Sequence, residues 1–213
     1  NPPAAWSRLY PIPLKEALVN HTKDVLNTLK ENNIDVKWVQ VGNEVNSGIL
    51  HPIGQVMGSA TGEFHTLFNA GYWAVKEVFP EAKVILHLSE GFNKNMYSWF
   101  LGTIHGVKYD MIGLSIYPSW WVSAAYVDGE IVPSHWSDWE ERARSCVENM
   151  RTIVNTYKKP VMICETGMPA TEPGMAKEAM QYLLAEAAAL KECHGVFYWE
   201  PQVYGGWKPA DYE

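Results

Sequence analysis

Most signatures of metal, nucleotide and redox chemistry are missing from this sequence. Its three cysteines, Cys146, Cys164 and Cys193, stand far apart, with no Cys-x-x-Cys pair. That spacing excludes the usual zinc and thioredoxin-like motifs and leaves buried free thiols as the expectation. No His-Glu-x-x-His, phosphate-loop glycine motif or Gly-x-Ser-x-Gly occurs, so no metalloprotease, P-loop or serine-hydrolase chemistry is indicated. Lys and Arg number 17 against 24 Asp and Glu, a formal net charge of −7 without any basic run. Neither nucleic acid nor an anionic membrane is invited as a partner. No apolar stretch approaches the ~20 residues of a membrane span, and the opening Asn1-Pro2-Pro3 has neither Met nor the basic-then-apolar pattern of a signal peptide.

What is present is an ordinary globular composition, 47% hydrophobic and 19% charged, with an unusual stock of aromatics. Ten Trp and eleven Tyr can simply fill a core, but such rings also form the platforms on which sugars stack. Apolar runs alternate with amphipathic ones. Helical spacing covers Leu14–Asn33, Ser59–Phe79, Met96–His105, Ser137–Tyr157 and Met175–Cys193; strands are expected at Val36–Val45, Lys83–Ser89, Tyr109–Tyr117, Val161–Gly167 and Gly195–Glu200. Ser119–Ser137 reads as a long loop holding Trp120, Trp121, Tyr126 and Trp136. Near-continuous apolar strands alternating with helices indicate a parallel sheet. A doubly wound sheet and a (β/α)8 barrel share that rhythm. The barrel is favoured because Glu44, Tyr117, Glu165 and Trp199 all fall at strand C-termini, which in a barrel line one face.

Two of these strand ends match. Val39-Gln40-Val41-Gly42-Asn43-Glu44 and Val161-Met162-Ile163-Cys164-Glu165 are apolar runs that each terminate in a carboxylate. A lone Glu there is read first as a cap or ion-pair partner. A pair of them is what a retaining glycoside hydrolase needs, one acid to protonate the leaving oxygen and one carboxylate to attack, roughly 5 Å apart.

The stretches VQVGNE, HLSEG, DMIGLSIYPSW, ICETGMP and GVFYWEP, in that order, resemble glycoside hydrolase family 53, the endo-β-1,4-galactanases. The resemblance implies a (β/α)8 fold with catalytic Glu residues on strands four and seven. Glu44 would be the acid/base and Glu165 the nucleophile. Asn43 would bind the sugar's 2-hydroxyl, Tyr117 would orient Glu165, His87 would line the cleft, and Trp199 would floor the cleaved subsite; Trp120, a candidate substrate contact, is with Trp121 and Trp136 equally a sugar platform or loop filling. His87 could equally be an interior histidine, and Tyr117 and Trp199 packing residues. The substrate implied is β-1,4-galactan, without a redox or organic cofactor, by an enzyme secreted or held at the cell surface or in the periplasm. Some members bind calcium near their last loops; Asp211 and Glu213 are the candidate ligands, few for an ion that takes six to eight oxygens. Where the family pattern carries His-Gly after the Tyr-Pro-x-Trp turn, this sequence reads Trp121-Val122. Only five strands are found, so residues 1–213 are expected to be strands four to eight of the barrel, without the first three and the last helix. Alternatives are another β-glycanase of the same clan, acting on mannan, xylan or cellulose, and a non-catalytic carbohydrate-binding remnant; HLSEG and IGLSIYPSW favour galactan, and two carboxylates in place disfavour the remnant.

Overall fold

A computed structural model describes residues 2–57, 61–119, 124–127, 130–133, 139–169 and 172–200. Five strands, β1 (Trp38–Gln40), β2 (Lys83–Leu88), β3 (Met111–Ile116), β4 (Val161–Thr166) and β5 (Cys193–Tyr198), pair in parallel in the strict order of the chain. Helices α2 (Phe64–Val78), α3 (Lys94–Thr103), α4 (Trp139–Tyr157) and α5 (Pro173–Ala189) connect them, and α1 (Pro11–Glu31) precedes β1. Sequential order decides between the two architectures. A doubly wound sheet reverses its strand order and so covers both faces, whereas unreversed right-handed crossovers put every helix on one side.

The burial pattern agrees. Val84, Leu86, Leu88, Ile112, Leu114, Ile116, Val161 and Ile163 share one core with Leu14, Phe64, Val75, Tyr97, Met150 and Leu183 of the helices. The alternate strand residues Ile85, Met111 and Met162 form a second, small cluster with Cys164 on the opposite face. Period two along each strand thus separates a helix-facing layer from an inward-facing one. The sheet is also strongly curled. Four steps of about 4.8 Å would hold β1 and β5 roughly 19 Å apart in a flat sheet, yet the rings of Trp38 and His194 lie 6.5 Å apart edge to face. The fold is a partial (β/α)8 barrel, with β1 and β5 each paired on one side only among the described residues.

Several boundaries differ from the sequence reading. The strand expected over Val36–Val45 keeps extended pairing only at Trp38–Gln40, because Gly42 and Glu44 take φ of 78° and 45° and a 3-10 turn follows at Val45–Ser47. Helix α1 begins at Pro11, since proline in a first turn lacks only an N–H that has no partner there. Asn93 caps α3, its Oδ1 accepting from Met96 N at 3.1 Å, which starts that helix before Met96. Cys193, read as the end of a helix, opens β5. The long loop after Tyr117 is not structureless: Ala124–Val127 and Glu130–Pro133 pair antiparallel. The signal overlooked was Asp128-Gly129 between two short β-prone runs, a hairpin dipeptide. Among the three free thiols only Cys146 is fully buried; Cys164 and Cys193 are half-buried. No helix among the described residues is long and apolar enough to cross a membrane.

Candidate active site

Parallel strands all deliver their C-terminal ends to one rim, and there three glutamates adopt left-handed backbone, Glu44 (φ 45°), Glu90 (φ 52°) and Glu200 (φ 44°). For a residue with a Cβ this costs on the order of 1–2 kcal/mol. Gly42 makes the first of these turns feasible. A Cβ there would come 2.7 Å from Val45 Cγ1 and 2.8 Å from Ile49 Cγ2, at a φ of +78° that L side chains rarely adopt. The tight turn lifts Glu44 off the end of β1, half-buried at the rim of a cavity of about 440 Å³ lined by Leu18, Val41, Asn43, Glu44, Ser47 and His51.

Glu165 reaches the same face by a different device. Met162 points inward, so simple alternation would send Cys164 inward and Glu165 into the helix layer. The register between β3 and β4 slips instead, from Leu114 opposite Ile163 to Ser115 opposite Glu165. One extra residue in β4 lets Cys164 and Glu165 both stay half-buried on the inner side, while Thr166 returns to the buried layer. This is a β-bulge re-aiming a side chain next to a site. Gly113 provides the room, since a Cβ there would collide with Cys164 Sγ and Ile85 Cγ2.

Tyr117 stands across from the bulge and donates its hydroxyl to Glu165 Oε2 at 3.1 Å. Burial raises the Glu165 carboxyl above its ordinary range, the Tyr117 hydrogen bond opposes that rise, and the charge of Glu44 adds to it. The two carboxylates therefore sense one another. Burial first, then the Glu165 charge and hydrogen bond, push the Tyr117 phenol well above its usual value, with Glu44 and Glu200 adding to the shift. Tyr117 thus remains a proton donor throughout the range in which Glu165 titrates.

Asn43 is exposed, its Oδ1 accepting from Gln40 Nε2 at 2.8 Å. Trp199 is 50% exposed at the end of β5, tied to β4 by its backbone N–H to Thr166 O at 2.8 Å. His87 is the main departure from the sequence reading. It lies fully buried under the rim rather than on the cleft wall, because it occupies an inward position on β2 opposite Gly113 and is covered by the turn at Glu44. Both ring nitrogens are engaged, Nδ1 by the backbone N–H of Glu44 at 3.4 Å and Nε2 by Ser115 Oγ at 2.8 Å. Burial lowers its pKa to about 4, so the ring is neutral near neutral pH. Ser115 and Asn46, which also hold this turn, carry no sequence signal of their own, since their partners lie 28 and 43 residues away. Glu90, just past the end of β2, accepts from Asn93 Nδ2 at 2.8 Å. Trp120, Trp121, Trp136, Asp211 and Glu213 lie outside the described residues. Among the described residues no three of His, Cys, Asp and Glu gather as a metal site would require.

A curled parallel sheet with Glu44 and Glu165 on its C-terminal rim defines the class, a (β/α)8-type protein. Residues 1–183 match the family model of glycosyl hydrolase family 53, and the chain belongs to that family. It is 26% identical over 224 residues to a probable arabinogalactan endo-β-1,4-galactanase A of Aspergillus tubingensis, covering 93% of this chain and 59% of that protein. To the arabinogalactan endo-β-1,4-galactanase A of Emericella nidulans it is 27% identical over 229 residues, covering 96% and 59%. A solved catalytic domain of the same family from Ignisphaera aggregans superposes with a TM-score of 0.73 at 26% identity, over 92% of this chain and 56% of that one. The chain therefore spans about three fifths of the length of these relatives.

Proposed function

We propose that this chain carries the catalytic pair of an endo-acting, retaining β-1,4-galactanase acting on pectic arabinogalactan side chains outside the cytoplasm. The observation that carries the reading is the bulge in β4, which turns Glu165 inward onto the Tyr117 hydroxyl within electrostatic reach of Glu44. In the first step the Glu165 carboxylate attacks the anomeric carbon. The bond to the leaving oxygen breaks, and that oxygen takes the proton from Glu44. In the second, the Glu44 carboxylate removes a proton from water, whose oxygen displaces Glu165 from the same carbon. Tyr117 orients Glu165, Asn43 binds the 2-hydroxyl, and Trp199 offers its exposed face to the sugar ring. Only water is consumed, so no redox or organic cofactor takes part. The galactanase names of the relatives support galactan as the polymer.

In this reading residues 1–213 form strands four to eight of the barrel. The unpaired sides of β1 and β5 are where the remaining strands would bond.

Reducing-sugar release from galactan, mannan, xylan and cellulose tests the substrate. Galactan alone should be cleaved at an appreciable rate, and equal or faster release from another polymer would overturn the assignment. The acid limb of the kcat/KM–pH profile tests the roles of the neighbours. Tyr117→Phe removes an influence that lowers the Glu165 pKa, so the limb should move to higher pH. Glu44→Gln removes one that raises it, so the limb, read with an activated aryl substrate, should move to lower pH. Shifts of opposite sign would exclude Glu165 as the group titrating there.

A further inference from the structure

Resting on that reading of Glu44 as the proton donor, we infer that strand β2 is its positioning element, clamping the left-handed turn from beneath through His87 and from behind through Asn46. Glu44 sits in a backbone conformation that a residue with a Cβ avoids. Such strain persists only where surrounding contacts over-determine it. Two contacts do so here, one on the N–H of Glu44 itself and one on Asn46, and both come from β2 or the residue following it.

Below the turn, Glu44 donates its backbone N–H to His87 Nδ1. That N–H needs an acceptor, which requires Nδ1 to be unprotonated and places the ring hydrogen on Nε2, donating to Ser115 Oγ at 2.8 Å. Ser115 faces Glu165 in the register of β3 and β4. His87 and Ser115 therefore link the turn that carries the acid to the strand beside the nucleophile. Behind the turn, Asn46 Oδ1 accepts from both Ser89 N at 2.9 Å and Ser89 Oγ at 3.1 Å, and Asn46 Nδ2 points to Met96 Sδ at 3.3 Å. Glu44 itself and Asn46, two residues on, are thus held to β2 and the residue that follows it. His87, buried with both nitrogens engaged, acts through Glu44 and not by touching sugar.

A displaced proton donor slows substrates in proportion to how much their leaving group needs the proton. A poor leaving group, the sugar hydroxyl of galactan, should suffer most, and a dinitrophenolate should suffer least. His87→Gln keeps an amide where Nε2 was but removes the acceptor at Nδ1. His87→Asn keeps an acceptor near Nδ1. Each variant of the full-length protein is assayed on galactan and on a dinitrophenyl β-galactobioside, with thermal unfolding in parallel. His87→Gln should lose at least about tenfold more kcat/KM, which reads the glycosylation step, on galactan than on the aryl substrate, and His87→Asn should recover most of that ratio. Asn46→Ala, which removes the second clamp, should show the same bias and is the deciding variant if His87→Gln does not fold. Equal losses on both substrates, in whichever of these variants folds, would overturn the inference. Glu44→Gln in the same assay separates the two levels. If it shows no leaving-group bias, or if the unaltered protein does not cleave galactan, the underlying reading fails rather than the clamp.

Discussion

Replacing Glu165 with Gly should lower kcat on galactan by at least about 10⁴-fold, with azide restoring turnover of an activated aryl galactoside. Losses of that order follow removal of a covalent nucleophile, because the remaining groups still bind and polarise the substrate but supply no attacking atom. The diagnostic is the stereochemistry of the rescued product. Azide in the space left by the carboxylate attacks the anomeric carbon once, from the face that Glu165 used, and the galactosyl azide is formed with inversion. The structure supports Glu165 for this role over other rim carboxylates on two grounds. It is the carboxylate that the β4 bulge turns inward, and Tyr117 donates to it. A retained azide product from this variant would reverse the assignment of the two residues.

Replacing Glu44 with Ala should be the second-largest effect, about 10²- to 10⁴-fold on galactan, the usual range for loss of a general acid. In kcat/KM the loss should be much smaller on a dinitrophenyl galactoside, whose leaving group departs without a proton, while kcat on that substrate falls with slow hydrolysis of the glycosyl-enzyme. The glycosyl-enzyme on Glu165 then forms but lacks a base to activate water. Azide, an anion needing no deprotonation, should accelerate breakdown and give the galactosyl azide with retained configuration, the product of two inversions. A uniform loss across both substrates, without azide acceleration, would remove Glu44 from proton transfer.

The sequence by itself determined the chemical endowment and its approximate place in the fold. Glu44 and Glu165 each close an apolar run, and runs of Val, Ile and Met between helical stretches specify buried parallel strands whatever their neighbours are. Tyr117 and Trp199 could likewise be assigned to strand ends, because strand termination by Pro118 and by the polar Glu200 is a local property. The orientation of those side chains could not be read. Period-two alternation in β4 would send Glu165 into the helix layer, and only the slipped register against β3 returns it to the cleft. Register is set by how Gly113 and Ser115 pack against a strand about 50 residues away, a non-local choice that flips every side chain when it moves by one. The same holds for Glu44. Val36–Val41 has β propensity that Gly42 and Asn43 interrupt, but the shape of the turn that carries Glu44 is fixed by His87 and by Asn46 with Ser89, contacts spanning 43 residues of the chain. Tertiary structure also decided what His87 is. A strand histidine in the sequence is equally a cleft residue or an interior one, and the alternation of β2, with Ser115 of the neighbouring strand within hydrogen-bonding distance, placed it beneath the acid with both nitrogens in use.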